Sequence, residues 1–277
     1  MTAAPGESGR AWASGREVSA ARPILLRPWR FGAAVVLAGA TAAVGTVAWQ
    51  GSMAGGMPMP GGWSMSMAWM RMPGQSWPAA ALAFAAMWTL MMVAMMLPSV
   101  APVLWSASVR ARRSGGPGGR SPAAKVAAGY FLVWALAGLA IYPLGVAVAV
   151  AEMRWEPVAR AAPAATGLVL LLAGLLQLTR WKTRELVRCR PGSACALGAG
   201  QGGGLRAGAR VGLHCCLCCS SLMAVQLALG VMDLGAMAAV ALAITAERLA
   251  PRPARVARAT GVALIGVGAL LVARAGA

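Results

Sequence analysis

"AAALAFAAMWTLMMVAMMLPSVAPVLW", residues 79–105, runs for 27 positions without a charged side chain. Wound as an α-helix at 1.5 Å per residue it would be about 40 Å long, more than the ~30 Å hydrocarbon core of a bilayer. Pro98 and Pro102 are predicted to kink this helix or end it early, because proline lacks the amide proton that continues the ladder. A single run of this kind sets the solvent for the chain, and the other apolar runs follow from it.

Further spans are predicted over about 31–49, 126–150 (with Pro143 inside), 164–179 and 259–273. Residues 214–247 are apolar for 34 positions, about 50 Å as one helix, too long for one crossing. The interruption "GVMDLG" divides them into two short spans, about 215–231 and 234–247, with a re-entrant hairpin as the alternative. The expected architecture is all-α: a polytopic transmembrane helical bundle of about seven spans, two of them short, with the N-terminus inside. Residues 1–30 form a disordered basic cytoplasmic tail, and 31–277 form one membrane helical domain. Within that domain, 50–77 is an external Met-rich loop and 180–213 a cytoplasmic loop of Cys, Gly and Arg.

The formal charge of +18 invites a nucleic-acid reading. Its placement excludes one. With this topology 21 of the 25 Lys and Arg residues lie on the cytoplasmic side, leaving Arg71, Arg154, Arg160 and Arg274 outside. No nucleic-acid-binding motif accompanies the charge. Trp49, Trp63, Trp69 and Trp77 fall at the outer ends of the first two spans, where an interfacial aromatic belt belongs. The expected location is a bacterial cytoplasmic (inner) membrane, crossed several times, with lipid as the surrounding partner.

The same topology partitions the sulfur. Methionines lie outside: Met53, Met57, Met59, Met65, Met67, Met70 and Met72. All six cysteines lie inside or near the inner face. Thiols outside the cytoplasm risk oxidation, whereas thioethers neither form disulfides nor need deprotonation to bind a metal. Soft sulfur donors select Cu(I), with Zn or Ag as the other soft or borderline candidates. The Met-x-Met pairs Met57/Met59, Met65/Met67 and Met70/Met72 would share one face of an extended chain and suit external metal capture. The competing reading of any such cluster is flexible apolar filling.

Met87, Met91 and Met95 recur at helical spacing in the second span, with Met92 and Met96 beside them. "HCCLCCSSLM", 214–223, puts four cysteines in five positions. In a helix Cys215, Cys218, Cys219 and Met223 crowd one side while Cys216 points away. Cysteine also packs as a small hydrophobe, but that account fits four in five positions poorly. Cys189 and Cys195 in the preceding loop could pass a metal to this cluster or receive one. His214, the one histidine, reads as an interfacial residue rather than a ligand; Glu247 and Arg248 read as an interfacial pair, and Asp233 as a turn residue.

The blocks "MWTLMMVAMMLPSVAP", "CRPGSAC", "GLHCCLCCSSLM" and "GVMDLGAMAAVALAITAERLAP" resemble, in order, those of domain-of-unknown-function family 2182, predicted metal-binding integral membrane proteins of bacteria. The likeness covers about 79–272. It implies a metal site at Met91, Met95, Met96, Cys189, Cys195, Cys215, Cys218, Cys219 and Met223, with Pro98 and Glu247 also matching. Cys216, Ser220 and Asp233 depart from the pattern, which leaves the role of Cys216 open.

The functional expectation is an integral membrane protein that binds Cu(I) through Cys and Met ligands for transport or delivery. A copper-carrying or metal-receiving protein would be its partner. No Walker-type nucleotide loop is present, which favours a facilitated pathway or membrane chaperone over a pump. Two alternatives stand beside it: a membrane thiol–disulfide oxidoreductase, for which Cys215-x-x-Cys218 has the spacing, and a structural partner of a membrane complex.

Overall fold

The computed structural model describes residues 28–52, 56–113, 122–189 and 204–275. The described chain is a helical bundle: α1 (Pro28–Ser52), α2 (Trp77–Arg113), α3 (Pro122–Arg154), α4 (Glu156–Gln177), α5 (Arg180–Cys189), α6 (Gly204–Leu229), α7 (Leu234–Leu249) and α8 (Pro253–Ala275). Six of these, all but α5 and α7, are long and apolar enough to cross a membrane. The all-α reading holds. Six of the seven predicted spans coincide with these long apolar helices, α7 being too short to count as the seventh, and boundaries move at three places.

The helix of the 79–105 run continues through Pro98 and Pro102 to Arg113. Its hydroxyls bond back to its own carbonyls: Thr89 Oγ1 donates to Ala85 O (2.7 Å), Ser99 Oγ to Met96 O (2.9 Å) and Ser108 Oγ to Trp105 O (2.7 Å). Side-chain polar groups are therefore satisfied without water, as an apolar setting requires. Second, α4 begins at Glu156, eight residues before the span predicted over 164–179. Third, α6 begins at Gly204 and is a full-length span, not a short one opening at 215. Arg206 and Arg210 lie exposed on its first turns while Gly208 and Gly212 are buried. A side chain at Gly208 would collide with the Val126 backbone of α3, and one at Gly212 with that of Tyr130. Close helix packing through small residues makes this segment helical, and hydropathy does not register it.

The predicted division of 214–247 falls in the right place. Gly230 turns the chain at φ +122, and Asp233 caps α7 by accepting from Ala236 N at 2.6 Å. α7 has 16 residues, about 24 Å.

More than half of the apolar stretch of both α2 and α6 is buried (56% each), against 11–28% in the other four long helices. These two form the centre of the bundle. The periphery exposes Val36, Leu82, Leu136, Leu172, Leu242 and Val262. An apolar outer surface on this scale suits lipid rather than water.

At one end of the bundle Met57–Met59 pairs antiparallel with Trp63–Met65, joined through Gly61 and Gly62, both at positive φ. Trp63 Nε1 donates to Ala159 O (2.9 Å) and pins this hairpin to α4. A 3₁₀ turn, Met67–Trp69, leads to α2. The opposite end carries α5, a structured segment at the start of the stretch read as a loop.

Candidate metal centre

α6 places its cysteines by helical periodicity alone. Cys215, Cys218 and Cys219 are 0%, 1% and 2% exposed, Met223 is buried with them, and Cys216 is half-buried. The Cys215 and Cys219 sulfurs stand 3.8 Å apart. Cys218 and Cys189 lie close enough to this pair to interact with it electrostatically, so the four thiols form one buried group. Cys195 lies outside the described residues.

Charged residues that sequence reading placed at the surface close over this group. Arg248, 2% exposed, donates from Nη1 to Cys215 Sγ (3.1 Å) and to Ser99 Oγ (3.1 Å), and from Nη2 to Cys189 O (3.2 Å). Its Nε is buried with no hydrogen-bond partner among the described residues. The Tyr130 hydroxyl of α3 donates to Cys215 Sγ at 3.0 Å. Five helices thus meet at Cys215 and Arg248: α2, α3, α5, α6 and α7.

Glu247 is equally buried but turned to another partner. Its Oε2 pairs with Lys182 Nζ at 2.7 Å, and its Oε1 accepts from Gln177 Nε2 at 2.6 Å. Lys182 Nζ also donates to Cys218 O at 2.8 Å. Glu247 and Arg248 are therefore not an interfacial pair with each other. Successive residues on a helix point about 100° apart, and each finds its own buried partner.

α5 supplies the remaining wall. Lys182, Glu185, Leu186 and Cys189 form its buried face at helical spacing, so the buried side is the polar one. Burial opposes the charge on Lys182, but the Glu247 carboxylate and the neighbouring cysteines hold its pKa above the ordinary lysine value. The Cys189 thiol donates to His214 O at 3.2 Å. The neighbouring Cys218 sulfur, then burial, push its pKa far up, which keeps it protonated. His214 is partly exposed, with Nδ1 3.7 Å from Glu185 Oε2.

The methionines divide. Met91, Met92, Met95 and Met96 are all at most 2% exposed and belong to the same core as the cysteines. Met95 and Met96 stand one turn before Ser99 on α2, and Met223 one turn after Cys219 on α6. In the hairpin, Met59 and Met65 are buried against Ala149 and Ala159, with Met57 and Met70 packed beside them. Met67, Met70 and Met72 line a separate small cavity with Met87.

Among the described residues no three His, Cys, Asp or Glu side chains converge as a ready-made metal cage. The donor set nevertheless suits a soft ion of low coordination number. Metal–thiolate bonds of about 2.3 Å put two sulfurs roughly 3.8 Å apart at a tetrahedral angle and about 4.6 Å apart when collinear. The Cys215–Cys219 separation of 3.8 Å lies at the lower end of that range.

The sequence model of a family described as PpoB2, copper chaperone, matches residues 85–271, more than half of the chain. The match takes in α2 from its third turn through most of α8, and so every described residue of the thiol centre. No curated protein and no solved structure matches the chain.

Proposed function

We propose that this chain, which belongs to the PpoB2 copper chaperone family, is a membrane-embedded carrier that holds Cu(I) on Cys215, Cys218 and Cys219 and delivers it onward. Copper is cargo in this reading. Met95 or Met223 would complete the site, and Cys189 with Cys195 would take part in transfer. The family favours copper handling over the thiol–disulfide alternative.

The observation that carries the reading is the buried group of thiols under a fixed cation. Cu(I) held by the three cysteines, two of them as thiolates and one as a neutral thiol, has a net charge of −1. Glu247 and Lys182 neutralise each other at 2.7 Å, which leaves the Arg248 guanidinium, 3.1 Å from Cys215, as the one buried counter-charge among the described residues. A copper bis-thiolate would therefore be electrically balanced in an apolar interior, where an unbalanced charge is costly. The apolar long helices support a membrane location, and the Lys/Arg asymmetry supports the thiol end facing the cytoplasm, where thiols stay reduced.

Competition against a Cu(I) chelator under anaerobic conditions tests this. Cys215→Ser with Cys219→Ser should abolish high-affinity binding, and Cys216→Ser should leave it nearly intact. If Cys216→Ser costs as much as the double replacement, the one-sided thiol site is wrong.

A further inference from the structure

A second sulfur-lined space lies at the far end of α2 from the thiols. Between the 3₁₀ turn and the first turns of α2 is a cavity of about 60 Å³ whose wall includes Met67, Met70, Met72, Met87, Trp49 and Phe84. The local fold accounts for this grouping. Met70 N donates to Met67 O at 3.1 Å, closing a tight turn in which residues three apart eclipse one another. Met72 N is held by Gln75 Oε1 at 3.3 Å. Trp69 stacks on Phe84, ring centroids 5.0 Å apart, and fixes the turn against α2. Exposure falls from 44% at Met72 to 3% at Met87.

Methionine is the side chain best able to collapse into a gap. Here four of them surround a gap that stays open, with aromatic side chains in the same wall. At about 60 Å³ the space has room for a bare ion among the thioethers. Thioethers accept soft monovalent cations without losing a proton, and aromatic faces add a cation–π contribution. From Met87, the buried Met91 and Met95 repeat every four residues on the same face of α2 towards Ser99, which is bonded to Arg248. The twelve residues from Met87 to Ser99 cover about 18 Å.

We propose that this cavity is a separate loading site for a soft monovalent cation, Cu(I) or its stand-in Ag(I), bound by Met67, Met70 and Met87, with Met72 as the exposed first contact. It rests on the copper-handling reading above. The ion arrives already as Cu(I) and leaves unchanged in oxidation state. The hairpin methionines Met57, Met59 and Met65 pack against α3 and α4 instead and are not ligands of this site.

The test uses the full chain in detergent with all six cysteines replaced by serine, titrated with Ag(I). A single equivalent should bind with the same affinity at acid and at neutral pH, since no proton is released. Adding Met70→Leu and Met87→Leu, which conserve volume, should weaken binding by at least about tenfold; Met153→Leu should not. In the cysteine-containing protein the same leucine pair should slow loading from a Cu(I) donor and leave the final copper content unchanged. No Ag(I) binding to the cysteine-free chain, or binding indifferent to the leucine pair, would overturn the proposal. If the cysteine-containing chain holds no more Cu(I) than the cysteine-free one, the thiol centre fails while the methionine site stands.

Discussion

Arg248→Met isolates the counter-charge of the thiol centre. The guanidinium bonds Cys215 Sγ, Ser99 Oγ and Cys189 O, all between 3.1 and 3.2 Å, and is 2% exposed. Methionine keeps an apolar side chain of similar length and removes the charge. A unit positive charge about 4 Å from a copper–thiolate centre of net charge −1 contributes about 4 kcal/mol at an effective dielectric of ~20. That corresponds to a loss of roughly a thousandfold in Cu(I) affinity. Arg248→Lys retains the charge without the planar fork and should recover part of it. The assay is anaerobic chelator competition on purified protein, with thermal unfolding of the copper-free form as a control for folding. A folded Arg248→Met protein that binds Cu(I) within about tenfold of the unaltered chain would refute the charge-balance reasoning.

Two further outcomes follow from packing and pairing. Removing one partner of the Lys182–Glu247 pair, 1% and 2% exposed, should destabilise the protein by about 3–5 kcal/mol, whereas Lys182→Met with Glu247→Leu should be far milder than the sum of the singles. A thermal-unfolding double-mutant cycle reads the coupling, and additive singles would show that the pair is not buried as described. Gly208→Leu should force α6 off the Val126 backbone and lower thermal stability by about 1–3 kcal/mol or more, with Cu(I) affinity falling alongside because Tyr130 and Cys215 separate; unchanged stability would contradict the close α3–α6 contact.

Long apolar runs were enough to read α2, α3 and α8 from the sequence, because their length and lack of charge have one explanation in a bilayer. The grouping of Cys215, Cys218, Cys219 and Met223 on one side of α6 was equally readable, since spacing alone decides it. The first three turns of α6 were not: Arg206 and Arg210 dominate hydropathy there, while the glycines that seat the helix carry no hydrophobic signal. α5 was missed for the opposite reason, its buried face being Lys182, Glu185 and Cys189 rather than an apolar stripe. Glu247 and Arg248 were read as each other's partners because they are adjacent in sequence. A signal against that reading was present: a carboxylate in an apolar helix needs a cation on another segment, and Lys182, within the segment read as a loop, was available. Met67, Met70 and Met72 could be read as a sulfur-rich stretch, but their separation from Met57, Met59 and Met65 depends on where the hairpin packs, which spacing does not encode.

X-ray absorption at the copper edge, on the full chain loaded anaerobically with a single equivalent of Cu(I), examines the central claim most directly. The account predicts a sulfur-only shell at thiolate distances, about 2.2–2.3 Å, that disappears when Cys215 and Cys219 are both serine in a chain that also carries Met70→Leu and Met87→Leu. A shell of nitrogen or oxygen, or a sulfur shell that survives the loss of both cysteines in that chain, would contradict it.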